Sequence, residues 1–175
     1  MIRLAHLAGL GVVVGGCASS APATTLRISQ PAVVSQQVGS TSITVRFNRP
    51  TARGRALFGA LVPYGPVWHP GADEASTIQT TRAVTFGGRP LPAGTYSIWT
   101  IPTPAEWTVI LSAAHNVFHQ PYPEGRDVLR IQVPSRRGAH MESMAFYFPF
   151  ADRTNTALVL HWGETLIEIP IQAAR

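Results

Sequence analysis

Lysine is absent from the 175-residue sequence, so all 14 of its basic side chains are arginines, set against 9 acids. Charge is scarce altogether, at 13% of residues, while 45% are hydrophobic. That balance excludes extensive disorder and suits one domain with a substantial core, though the chain is short for two. Cysteine occurs once, at Cys17, which excludes a disulfide within the chain. The N-terminal apolar run, residues 7–14, falls well short of the roughly 20 residues that a spanning helix needs. There is no Gly-x-Ser-x-Gly elbow, no phosphate-binding glycine loop, no recognised zinc signature and no internal repeat. Nucleophilic catalysis is therefore without support. Arginines cluster only at Arg136-Arg137 and between Arg46 and Arg55, a poor footprint for nucleic acid.

What is present at the N-terminus is processing sequence. Arg3 supplies the single leading charge, the apolar run follows, and small residues surround Cys17. The ending Val14-Gly15-Gly16-Cys17 resembles a bacterial lipoprotein cleavage box, with Val where Leu is commoner. The expectation is a signal peptide over residues 1–16 and lipidation of Cys17, which would hold the protein to a membrane. A flexible small-residue tether over 17–30 follows, then a single domain over 31–175. The implied address is the cell envelope, at the periplasmic face of the outer membrane. Without Arg3 the net charge of +5 falls to +4, which suits contact with anionic envelope material.

Beyond the tether the pattern is antiparallel β. Residues 42–47 alternate, with Ile43, Val45 and Phe47 on one face. Further strands are expected over 76–80, 82–86, 95–101, 106–112, 128–133, 141–148, 157–162 and 165–171. Gly87-Gly88 reads as a hairpin loop, residues 134–138 as a basic loop, and Gly163-Glu164 as a short turn. About nine short strands favour an all-β antiparallel sandwich with no helix beyond short turns.

One stretch breaks the pattern. Residues 49–77 read as neither strand nor long helix, although 55–61 suit a helical turn or two before Pro63. A long irregular segment inside a compact domain is usually functional or disordered. Leu57, Phe58, Leu61, Val62, Tyr64, Val67 and Trp68 argue for an ordered cover laid over the sheet. The same segment holds Arg53, Arg55, His69, Asp73 and Glu74. A second irregular stretch, 113–125, contributes His115 and His119, whose spacing of four suits one metal only if the chain turns helically there. His161, between Leu160 and Trp162, reads as a sheet-face histidine, and Asp73 as a turn residue.

The run R-G-R-x-L-F-G-x-L-V-P-Y-G-x-V-W with G-A-D-E-A-S-T behind it, the hairpin L-P-A-G-T-Y-S-I-W-T-I-P and the following E-W-T-V-I-L resemble a bacterial family catalogued as domain of unknown function 2911. The similarity covers about residues 29–171. It implies an exported β-rich protein and carries no activity, cofactor or catalytic residue with it. Relatives commonly have Arg after the Trp and Asn before the Glu, where this chain has His69 and Asp73; Arg53-Gly54-Arg55 and Gly71-Ala72-x-Glu74 are retained.

Three readings of function follow. The first is a lipid-anchored binding or accessory module for a small polar or carbohydrate-like ligand, or for an envelope component. The cover and the 115–122 loop would form its pocket; of the aromatics able to stack on a sugar if exposed (Trp99, Trp107, Phe118, Tyr122 and Trp162 among them), Tyr64 and Trp68 would supply the faces, and Arg53, Arg55 and Glu74 the polar partners. The second is a metal-assisted hydrolase, with a divalent ion on His69, His115 and His119 and with Glu74 as base or ligand. The third is a structural envelope partner whose irregular segment merely closes the core.

Overall fold

The computed structural model describes residues 27–173. Among them are nine strands and no helix: β1 (Gln30–Val38), β2 (Thr41–Arg49), β3 (Thr77–Thr80), β4 (Val84–Phe86), β5 (Arg89–Leu91), β6 (Gly94–Ile101), β7 (Glu106–Ser112), β8 (Asp127–Tyr147) and β9 (Asn155–Ala173). All pair antiparallel, in one nine-stranded order β1-β2-β3-β6-β7-β8-β9-β4-β5. The all-β antiparallel expectation is met. The strands follow one unbroken hydrogen-bonding order where two packed sheets were expected.

That continuity comes from β8. Its first part, through Pro134, pairs with β7, and from Ser135 onward it pairs with β9. Pro134 has no N–H to give to a ladder, and it stands where the strand changes partner. The residues expected as a basic loop, 134–138, are therefore strand. Gly163-Glu164 is likewise no turn. Gly163 lies at φ 58 opposite Met141, where the β8–β9 register shifts, so the glycine makes a bulge and β9 runs on. Two expected pairs of strands thus merge, and two unexpected strands, β1 and β5, restore the number. β1 pairs with β2 along its whole length through a hairpin at Gly39 (φ 56), turning Ala32, Val34 and Val38 inward. Its opening residue lies inside the expected tether.

Side chains from both ends of the strand order meet in one core. Phe47 of β2 packs edge-on against Phe146 of β8, ring centres 5.1 Å apart. A smaller core, Trp99, Ile110 and Ala75, lies apart from it and is backed by Val117 and Tyr122. β6 is buried from Tyr96 through Thr100, so neither of its faces meets solvent there.

Candidate functional site

The cover is held by a backbone edge that the sheet leaves free. β3 has four residues and pairs only with Gly94–Ser97 of β6, so the rest of that edge needs other partners. The irregular segment supplies them. Ile98 N–H donates to Ser76 O at 2.8 Å, Thr100 N–H to Trp68 O at 2.8 Å, Trp68 N–H to Thr100 O at 2.7 Å, and Gly65 N–H to Pro102 O at 2.9 Å. No helix forms over 55–61. The N–H groups of Leu61 and Val62 reach back to Ala56 and Leu57, and Gly59 at φ 84 closes a tight loop beneath the Tyr64 ring.

Phe58 and Trp68 carry the cover into the core. The Phe58 ring lies 4.8 Å from Trp107 and 6.3 Å from Trp162, both edge-on, and Trp68 stacks on Trp162 at 6.2 Å with an interplanar angle of 12°. Trp68 is therefore half-buried and forms part of the wall of two hollows, one on the His69 side and one on the arginine side.

The larger hollow, about 570 Å³, lies between residues 67–73 of the cover and 119–122 of the second irregular stretch, with Trp99 in its lining. His69 is 5% exposed, and its Nε2 accepts the N–H of Ser76 at 2.6 Å. Burial, with the His119 ring stacked 6.2 Å away, holds its pKa down at about 3, so the ring is neutral and its proton sits on Nδ1. Gly71 makes this possible, since a Cβ there would meet the His69 ring at 2.6 Å and Ser76 Oγ at 2.7 Å. His119 is tied to the cover twice: its Nδ1 donates to Asp73 O at 2.8 Å and its backbone N–H to the same oxygen at 3.0 Å. Asp73 adopts φ 60, the left-handed conformation that Asp and Asn tolerate best among residues with a Cβ. Tyr122 lies edge-on to Trp99 at 5.1 Å and donates its hydroxyl to Asp127; burial, then that carboxylate, pushes its pKa up to about 12.

The sequence candidates are divided among three hollows. Arg53 and Arg55 line the second, about 340 Å³, with Trp68 and Trp162. Glu74 lies in a third, about 410 Å³, where Arg27 grips it with two hydrogen bonds and Asn48 Nδ2 donates at 3.0 Å. Arg27 above all, then backbone and Asn48 bonds, draws the Glu74 pKa down to about 2. Tyr64, 41% exposed, lines none of these hollows, nor does the exposed His115. The single pocket expected for Arg53, Arg55, Tyr64, Trp68 and Glu74 is thus not formed. The metal set is not assembled either. His69 and His119 adjoin, each with one ring nitrogen already bonded, but among the described residues no three His, Cys, Asp or Glu side chains are grouped to hold an ion. His161 is buried in β9, 3.4 Å from the Tyr147 hydroxyl through Nδ1. Cys17 lies outside the described residues.

Asn48 is the residue near these hollows that the sequence reading passed over, while Trp99 and Tyr122 stood only among the aromatics able to stack on a sugar if exposed. For Trp99 a signal existed: residues 98–101 are all apolar or β-branched without alternation, as in a strand covered on both faces.

A family model described as "Protein of unknown function (DUF2911)" matches residues 29–171. The chain belongs to this family. The match takes in all of β1 to β8, both irregular stretches and every hollow lining except Arg27 and Ile28. Neither a curated protein nor a solved structure matches the chain.

Proposed function

We propose that this member of the family is an exported, lipid-anchored envelope protein that binds a small, uncharged, hydroxyl-rich ligand of carbohydrate type in the hollow between His69 and Tyr122. The observation that carries the reading is the composition of that lining. Trp68 and Tyr122 offer aromatic surface, backed by the buried Trp99, while a neutral His69, His119 and the Asp73 carboxylate offer donors and acceptors. Aromatic area with a few fixed polar groups is how concave sites orient small polar molecules. The lining contains no arginine, and its one carboxylate disfavours anions.

Thermal-shift measurements with a panel of neutral mono- and disaccharides test this. At least one sugar raises the melting temperature, and Asp73→Asn, which keeps the left-handed backbone, removes the rise while leaving the ligand-free protein as stable as before. A panel without effect at millimolar concentrations overturns the reading. The hydrolase alternative is tested separately by elemental analysis, because stoichiometric metal in purified protein, lost on replacing His69 and His119 by Ala, favours it. For the anchor, Cys17→Ala abolishes incorporation of labelled palmitate and frees the protein from membranes; unchanged labelling would refute lipidation at that residue.

A further inference from the structure

The arginine-lined hollow differs from its neighbour in the sign of its charge. Arg53 and Arg55 border it, and among the described residues no Asp or Glu does. Neither guanidinium lies in an ion pair with a described carboxylate. Arg55 is nevertheless held in place: its Nε donates to Ala52 O at 2.9 Å and its Nη2 to Thr51 O at 2.6 Å, while Nη1 makes no hydrogen bond among the described residues. Glu142 is nearby but engaged, one oxygen accepting the Arg53 backbone N–H at 2.7 Å and the other standing 2.9 Å from His140 Nε2. The remaining wall is mixed: the stacked indoles of Trp68 and Trp162, with Leu61 and Val62, make its apolar part, and Ser29 and Thr51 add polar groups.

Two cations at the edge of an aromatic-walled cavity of about 340 Å³ match an anion attached to a small apolar body. We propose that this hollow is a second binding site, on the other side of the shared Trp68 wall, for a small organic carboxylate. Its apolar part lies against Trp68 and Trp162 and its carboxylate meets Arg53 and Arg55. An anion brought there gains charge-assisted hydrogen bonds without breaking an ion pair. The neighbouring hollow, which contains Asp73, offers no such partner.

Phenylacetate, phenylacetamide and inorganic phosphate are suitable probes, read by the indole N–H signals in NMR spectra and by calorimetry on the soluble mature protein. Phenylacetate should bind saturably and shift the Trp68 and Trp162 signals, with the uncharged amide weaker by about tenfold or more, the value of one or two hydrogen bonds to a charged group. The double variant R53Q/R55Q should weaken phenylacetate by a similar factor at an unchanged melting temperature, and high salt should weaken it in the wild type. If the double variant fails to fold, Arg53→Gln alone decides, since that side chain is exposed. Asp73→Asn should leave phenylacetate binding intact, so failure of the sugar site and failure of this one are separable. Equal binding of acid and amide, unaltered binding by the arginine variants, absence of saturation, or phosphate competing as well as phenylacetate would each overturn the proposal.

Discussion

His69 is a buried base whose neutral form is built into the cover, because its Nε2 must stay unprotonated to accept the Ser76 N–H. Its folded pKa of about 3 lies below the ordinary 6.5, so between those values the unfolded chain binds a proton that the folded chain does not. Stability is then fully present above pH 6.5 and declines as pH falls, by up to about 1.4 kcal/mol per pH unit for one proton. Carboxylates held low, such as Glu74 at about 2, contribute only below their ordinary 4.5. The window from 6.5 to 4.5 therefore isolates the histidine. Urea unfolding across it should show the slope in the wild type and a flatter line in His69→Gln; identical slopes would show that the ring protonates freely in the fold. Gly71 extends the argument to packing. Its Cβ would enter the space of the His69 ring and of Ser76 Oγ, so Gly71→Ala should destabilise by about 1 to 3 kcal/mol and abolish sugar binding. A variant of normal stability with a working site would mean the ring gives way without consequence.

Two tethers fix the irregular segment near Glu74, and they differ in burial. Arg27 reaches Glu74 at the surface, where solvent screens the pair and leaves it little stabilising effect. Asn48 is buried, and its Nδ2 donates both to Ala72 O at 2.8 Å and to Glu74 Oε2, so removing it leaves a backbone acceptor unsatisfied. Asn48→Ala should cost about 1 to 3 kcal/mol and speed amide exchange across residues 69–76, whereas Arg27→Ala should do neither measurably. Comparable effects would reverse the ranking. How much of this element could be read beforehand follows from its chemistry. The dense aromatics of residues 57–68 marked the segment as ordered, and it is. Its seat on the free edge of β6 was not readable, because that edge is free only where β3 stops after four residues, a fact of pairing and not of pattern. The grouping of Arg53, Arg55, Tyr64, Trp68 and Glu74 failed for the same reason. Neighbours along an irregular chain fall to different sides of Trp68, and nothing local says which.

The whole molecule depends on joining distant parts of the chain, and this is where local patterns misled most. Pro134 and Gly163 carry the marks of loops, yet the first sits where β8 changes partner and the second at a bulge in β9, so both long strands run through. β1, with three Gln and one Ser among its nine residues, resembles the tether before it and becomes a strand because β2 offers it nine paired positions. The outcome is a sheet whose C-terminal end carries part of its middle. Val84, Thr85 and Phe86 of β4 pair with Ala173, Gln172 and Ile171, and Gly87 N–H donates to Pro170 O at 2.8 Å. Removing residues 169–175 strips that partner from the β4–β5 hairpin and uncovers Phe86, while deleting Ile169 and Ile171, which are 1% and 2% exposed. Each such side chain is worth about 1.5 to 3 kcal/mol when buried, so the sum approaches the roughly 5 to 15 kcal/mol that a domain has in total. The truncated chain should lose its cooperative urea transition and near-ultraviolet circular dichroism. Trimming the N-terminus through Ser29, which among the described residues removes the surface grip of Arg27, the bond that Gln30 Nε2 donates to its carbonyl and the exposed Ile28, should leave the midpoint nearly unmoved. Equal tolerance of both truncations would mean that the β4–β9 pairing is dispensable and that the long β8–β9 ribbon holds the core without it.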